Sequence, residues 1–271
     1  MLSVSMETVT CVEMEPKYNF THLKSKNFSV LNEKSALDYF LKWSLKGQIK
    51  LTTFCFNEAF LVHQRKDFID NFFHDAVVVS VLNSLLPNWP FNRENIVKID
   101  AQTVPCTVSS MSFFDRIQNE RNKIVRGEGN IRQCLDDVID GFLVSDELRK
   151  MLIDEESDNF GLFLEGDRNE FIFHIFRFLV LGGKWCQYED KINPYLELTK
   201  MLYKNLVRVE KNPESKQIEI RSICEKVCLI GKNNFPIFPM DSDHLQNFVY
   251  LIIDPVYRQV TVFAHEYGGQ F

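Results

Sequence analysis

No apolar run in this sequence is long enough to cross a bilayer. The longest, residues 171–181, is interrupted by His174 and Arg177 and falls well short of the roughly 20 residues a spanning helix needs. Positive charge is not in excess either. A net charge of -6 at pH 7 runs against a general nucleic-acid binder, which needs surplus Lys and Arg to displace phosphate counterions. Residues 1–7 lack the basic start and apolar stretch of a signal peptide. The seven cysteines, Cys11, Cys55, Cys106, Cys134, Cys186, Cys224 and Cys228, are odd in number and irregular in spacing, so they read as reduced, mostly buried thiols and not as a disulfide frame. These absences set the expectation of a cytosolic protein with neither nucleic acid nor membrane as partner.

The motif-defined enzyme classes are missing as well. There is no Gly-x-Ser-x-Gly elbow, dinucleotide fingerprint or Walker sequence, and the glycines of Arg126-Gly127-Glu128-Gly129-Asn130 lack the Lys-Ser/Thr pair of a phosphate loop and read as a flexible turn. Among the six histidines, His22, His63, His74, His174, His244 and His265, none starts a His-x-Asp/Glu pair for iron or a His-Glu-x-x-His for zinc. His174, on an apolar helix, reads as a satisfied core histidine. Cys224 and Cys228 lie four apart in an expected strand, hence on one face, and read as packed thiols in preference to half of a zinc site. No catalytic residue, metal or cofactor is expected. An enzyme without a known motif would have to use Glu189 and Asp190 or a histidine near the sheet.

What is present is material for a core. Hydrophobic residues make up 45% of 271 residues and phenylalanine alone supplies 24, enough to oppose chain entropy without covalent staples. Residues 1–16 are polar and aperiodic and read as a flexible tail, with one α+β domain over 17–271. Ala36, Leu37, Phe40 and Leu41 repeat at helical spacing up to Gly47; Ile49, Leu51, Phe54 and Phe56 suggest a strand whose alternation slips in the middle; residues 67–74 return to helical spacing. A strand is expected over 96–99 and a short helix around Phe113, Phe114 and Ile117.

Ser145 reads as the cap of a helix with Asp146 and Glu147 in its first turn, and Asp167 as the cap of a helix over 168–181 ended by Gly182-Gly183. The four phenylalanines 171, 173, 176 and 178 cover more than one face of that helix, which places it centrally in the core. Pro194 belongs to the first turn of the next helix, whose buried stripe is Ile192, Tyr195, Leu196, Leu202, Tyr203 and Leu206. Hairpins across Asn212-Pro213 and Asp254-Pro255 complete a C-terminal antiparallel meander. The fold class is therefore α+β, with helices packed on a mostly antiparallel sheet.

Charge is unevenly distributed. Residues 134–170 hold twelve acidic side chains against Arg149, Lys150 and Arg168. The stretch reads as a solvated acidic face, with a docking surface for a basic partner as the alternative. Glu189 and Asp190, just ahead of a helix, read as cap and dipole complement; the alternative is that Tyr188, Glu189 and Asp190 form a partner-binding site, the aromatic anchoring and the charges setting register.

One run has an order that no generic helix or loop requires: Gly182-Gly183-Lys184-Trp185-Cys186-Gln187-Tyr188-Glu189-Asp190-Lys191-Ile192-Asn193-Pro194-Tyr195-Leu196-Glu197. With Thr199-Lys200, Tyr203-Lys204 and Lys211-Asn212-Pro213, and with residues 104–114, 145–149 and the hairpin at Asp254-Pro255, it resembles the cilia- and flagella-associated protein 300 family from about Tyr18 onward. The resemblance implies a non-enzymatic factor of cytoplasm and axoneme that assembles, and helps transport, the outer and inner dynein arms of motile cilia. It implies as partners a dynein assembly factor of the kintoun type, axonemal dynein chains and the intraflagellar transport machinery. A structural component of the axoneme is the alternative reading.

Overall fold

Seven strands form one antiparallel sheet, and helices cover both of its faces. The computed structural model describes residues 17–268, so the tail expected over residues 1–16, with Cys11, lies outside the described residues. In chain order the strands are β1 (Phe20–His22), β2 (Ile49–Phe56), β3 (Ile96–Val104), β4 (Val125–Arg126), β5 (Asn130–Ile131), β6 (Gln133–Ile139), β7 (Phe142–Asp146), β8 (Val209–Lys211), β9 (Ile218–Ile220), β10 (Ile223–Gly231), β11 (Pro236–Phe238), β12 (Phe248–Asp254) and β13 (Gln259–His265). The helices are α1 (Lys34–Lys42), α2 (Arg65–His74), α3 (Ala76–Leu85), α4 (Asp115–Gln118), α5 (Glu147–Ile153), α6 (Glu165–Asn169), α7 (Phe171–Leu181) and α8 (Asn193–Leu206).

The main sheet runs β1-β2-β13-β12-β10. β3 pairs along one edge of β10, so β12 and β11 share the other. Side chains alternate across a strand, and here both destinations are buried. On β12, Phe248, Tyr250 and Ile252 join the core under α1, α5, α7 and α8, whereas Val249, Leu251 and Ile253 join the core under α2 and α3. The same division explains the slipped alternation of β2: Ile49 and Leu51 face the first core, Phe54 and Phe56 the second. Thr53 faces the first core, and its hydroxyl is bonded to that of Thr261 at 2.9 Å. Smaller hairpins, β4-β5, β6-β7 and β8-β9, stand apart from the main sheet. The expected C-terminal meander is thus β10, β12 and β13, with β8-β9 outside it.

Several local expectations change. The helix expected over 168–181 is broken at Glu170, whose extended backbone (φ -62, ψ 137) separates α6 from α7. The break is held by the segment after β3: Phe171 N donates to Pro105 O at 2.8 Å, and the Glu170 carboxylate accepts from both the amide and the hydroxyl of Thr107. Asp167 accepts from Leu164 N at 3.2 Å and does not itself stand at the cap position. Ser145 lies within β7, and Asp146, its last residue, is the cap of α5, accepting from Arg149 N at 2.8 Å. α3 has no counterpart among the sequence expectations. Asp75 caps it through Val77 N and Val78 N. Cys224 is buried, but Cys55, Cys106, Cys134, Cys186 and Cys228 are only half-buried; all six are free thiols. Gly127 and Gly129, at φ +53 and +83, close β4-β5, and Gly129 O accepts from Ile192 N, which ties this turn to the start of α8.

Candidate partner-binding site

The run 182–197 leaves α7, crosses the end of α1 and enters α8, and its unusual residues are explained by what lies beneath it. Gly182 ends α7 at φ +65, where an L side chain is strained, and a Cβ there would come 2.9 Å from Trp43 O and collide with Cys186. A Cβ on Gly183 would strike the backbone of Ser44, because Gly183 N donates to Trp43 O at 2.8 Å. Two glycines are needed since two backbones touch. The C-terminal carbonyls of α7 are then satisfied from the side: Gln246 Nε2 donates to Phe178 O and Gly182 O, and Arg149 Nη2 to Val180 O at 2.8 Å.

Arg149 is fully buried on α5 and is the centre of the arrangement. It pairs with Asp146, donates to Tyr195 Oη at 2.7 Å, and lies 3.3 Å from the ring centroid of Tyr188. Charge-assisted bonds and a flat cation–π contact together satisfy most of a guanidinium that would be costly to bury alone. Tyr195 is stacked on Trp43, centroids 4.6 Å apart, and its hydroxyl accepts from Glu189 N at 3.0 Å. Burial pushes the Tyr195 phenol up to about 12, against the pull of Arg149, and likewise the Cys186 thiol up to about 12. Neither is a nucleophile or base near neutral pH.

The three residues singled out from sequence are therefore close together but differently employed. Tyr188 covers Arg149 and donates its hydroxyl to Leu143 O on β7 at 2.8 Å. The Glu189 carboxylate accepts from Trp43 Nε1 at 2.9 Å and Lys42 Nζ at 2.8 Å, holding the end of α1. Asp190 uses its backbone, O accepting from Ile131 N at 2.8 Å, and leaves its carboxylate exposed. Sequence reasoning passed over two participants. Arg149 was visible only as one of three cations in an acidic stretch, although its spacing of three from a helix-capping Asp was the available signal. Trp185, in the middle of the run, is 68% exposed.

Beside Tyr188, the ribbon β6-β7 presents apolar side chains outward. Val138 and Leu143 are direct cross-strand partners, 68% and 47% exposed, and Leu135 is 93% exposed. The opposite side of the ribbon, through Phe142 and Val144, is in the core. Asp136 and Asp140 stand exposed near the outward residues, and Asp137, opposite Val144, is exposed on the other side of the ribbon. Among the described residues no group of three His, Cys, Asp or Glu is placed to hold a metal ion, and no helix is long and apolar enough to cross a membrane.

Residues 17–265 match the family described as cilia- and flagella-associated protein 300. The chain belongs to this family. It is similar to the cilia- and flagella-associated protein 300 of Chlamydomonas reinhardtii, 31% identical over 250 residues that cover 92% of this chain and 97% of that one. It is also similar to the protein of that name from Paramecium tetraurelia, 30% identical over 251 residues, covering 92% and 94%. No solved structure matches. Membership places the chain among cilia- and flagella-associated proteins, a family not known for catalysis, and the matched span includes the clamp around Arg149, β6-β7 and the whole of the main sheet.

Proposed function

We propose that the chain is a non-enzymatic factor required for assembly, and for transport, of the outer and inner axonemal dynein arms of motile cilia, acting by protein–protein contact in the cytoplasm and at the axoneme. Family membership supports the ciliary setting. The observation that carries the mode of action is the β6-β7 ribbon: three exposed apolar side chains, with the exposed Asp136 and Asp140 beside them, joined through Tyr188 to a loop that exposes Trp185. Clustered exposed apolar residues with a charged rim are the mark of a docking surface. The aspartates beside it favour a basic segment as its occupant. We assign that segment to a dynein assembly factor of the kintoun type, with dynein chains and the intraflagellar transport machinery as further partners. Trp185 and Asp190 would touch the partner, while Tyr188 and Glu189 hold the surface in shape.

The test is electron microscopy of axonemes from null cells rescued with either wild type or Leu135→Ser/Val138→Ser. Null cells should keep cilia but lose both rows of arms, the wild type should restore them, and the double variant, folded because both side chains are already in water, should not. Normal arm density in the null cell would overturn the reading; full rescue by the variant would overturn this surface.

A further inference from the structure

Among the described residues β6 is hydrogen-bonded to β7 alone, and its other edge meets no backbone. Five of its seven residues are exposed, so that edge lies in solvent. The two strands are joined by Asp140-Gly141, both at positive φ (+51 and +81), the conformation of a two-residue type I′ turn. Such a turn is closed by a hydrogen-bonded pair, here Ile139 and Phe142. The next pair, Val138 and Leu143, is then a non-hydrogen-bonded one whose amides and carbonyls point away from each other. Two bonds agree with this. Leu143 O, pointing out on the β7 side, accepts from the Tyr188 hydroxyl at 2.8 Å, and Val138 N, pointing out on the β6 side, donates to Oδ1 of its neighbour Asp137 at 2.7 Å.

The two edges of the ribbon are thus unequal. Tyr188 closes the β7 edge, whereas on β6 the outward amide of Val138 is covered only by an aspartate of the same strand. An exposed edge invites pairing with another chain, and charge on the edge is the usual guard. The guard here has one sign: residues 133–145 contain Asp136, Asp137 and Asp140 and no Lys, Arg or His. A second copy of the chain, edge to edge, would bring the same aspartates together and is repelled, while a segment carrying Lys or Arg is drawn in.

We infer that β6 receives an extended basic segment of a partner protein as a third strand, continuing the antiparallel order of the ribbon. The inference rests on the docking surface proposed above and gives its binding mode. Strand addition of this kind takes affinity from the backbone and selectivity from alternate side chains. The residue opposite Val138 exchanges both backbone bonds with it and shares the face of Val138 and Leu143, so it is apolar. Its neighbour, opposite Asp137, lies on the other face and is Lys or Arg. That cation takes up the carboxylate displaced from Val138 N, and a strand without it leaves the aspartate unpaired beside a newly formed ladder.

The probe is a labelled peptide alternating valine with lysine, about ten residues long, titrated into the full chain at physiological salt and followed by fluorescence anisotropy. Binding should saturate, and the valine-glutamate counterpart should not bind. N-methylation of the valines, whose amides face β6, should weaken binding about tenfold, and N-methylation of the lysines, whose amides face solvent, should not. Val138→Pro removes the outward donor, spares the β6-β7 ladder and should also cost about tenfold. Asp137→Asn keeps an acceptor for the Val138 amide and should cost about threefold, through charge alone. If Val138→Pro lowers the Tm, the two methylated peptides on wild type still decide. Equal binding of those two peptides, the reverse order, or no saturation by the unmodified peptide overturns the third strand. In that event Leu135→Ser/Val138→Ser in axoneme rescue still reads the surface itself, which stands if that variant fails to restore the arms.

Discussion

The two faces of the sheet solve the same packing problem with different chemistry. Under α2 and α3 the contacts are rings on rings: Phe72 meets Phe20, Phe54 and Phe73 with centroids 5.0, 5.4 and 5.1 Å apart, and Phe68 meets Tyr18, Phe20, Phe56 and Phe60. Under α5, α7 and α8 phenylalanines are also abundant, but buried or half-buried ionisable side chains run through them: Arg149, Glu170, His174, Arg177 and His265. The first face needs only to exclude water. The second also fixes directions, because Arg149 and Glu170 are held by particular carbonyls, hydroxyls and rings. The unusual residue order 182–197 lies on the second face, where hydrophobic interchange is poorly tolerated.

The largest effect expected is on the first face. Phe72→Ala should cost about 3–5 kcal/mol, the loss of a buried ring plus the cavity it leaves. Urea unfolding checks it: the midpoint should fall with an unchanged m value, by the same amount at pH 6 and pH 8. A pH-dependent loss would mean that the two faces are not chemically separate.

Arg149→Met should cost about 3 kcal/mol, because it strands the Asp146 carboxylate in the core and frees Val180 O and Tyr195. The double variant Asp146→Asn/Arg149→Met should recover most of that, since asparagine still caps α5 and no charge is left uncompensated. The same urea experiment, run as a double-mutant cycle, decides. Additive losses would show that the pair is not coupled and that shape alone holds this face.

The extent to which this was legible in sequence follows the same divide. The sheet, α1, α2, α7, α8 and the glycine stop after Leu181 were readable because apolar periodicity and helix punctuation are local signals. The break at Glu170 was not, since it is imposed by Thr107 and Pro105, more than sixty residues earlier in the chain. α3 escaped because Val77, Val78 and Val79 carry strand propensity, which the Asp75 cap and packing beside β1 override. At the candidate site, Tyr188, Glu189 and Asp190 stood out as a group from an unusual residue order, and the structure brings them together around the end of α1 and β7. Their separate employments depend on Arg149 and Trp43, remote in sequence.

The smallest effect sharpens the comparison most, because it reads protonation and not packing. His174 and His265 both lie on the α7 face, and burial lowers them from 6.5 to about 3 and about 4. Each binds a proton in the unfolded chain at a pH where the folded chain refuses it. The stability they permit is therefore complete above pH 6.5 and is lost as pH falls from there toward the folded values, by up to about 1.4 kcal/mol per pH unit for each imidazole. Between pH 6.5 and 5 unperturbed carboxylates remain ionised, so the window belongs mainly to histidine. His174→Gln, whose side-chain oxygen can still accept from Arg177, should reduce the slope of unfolding free energy against pH by about one proton in that window while changing stability at pH 8 little. An unchanged slope would show that His174 is protonated in the folded protein, and the α7 face would then have to accommodate one cation more.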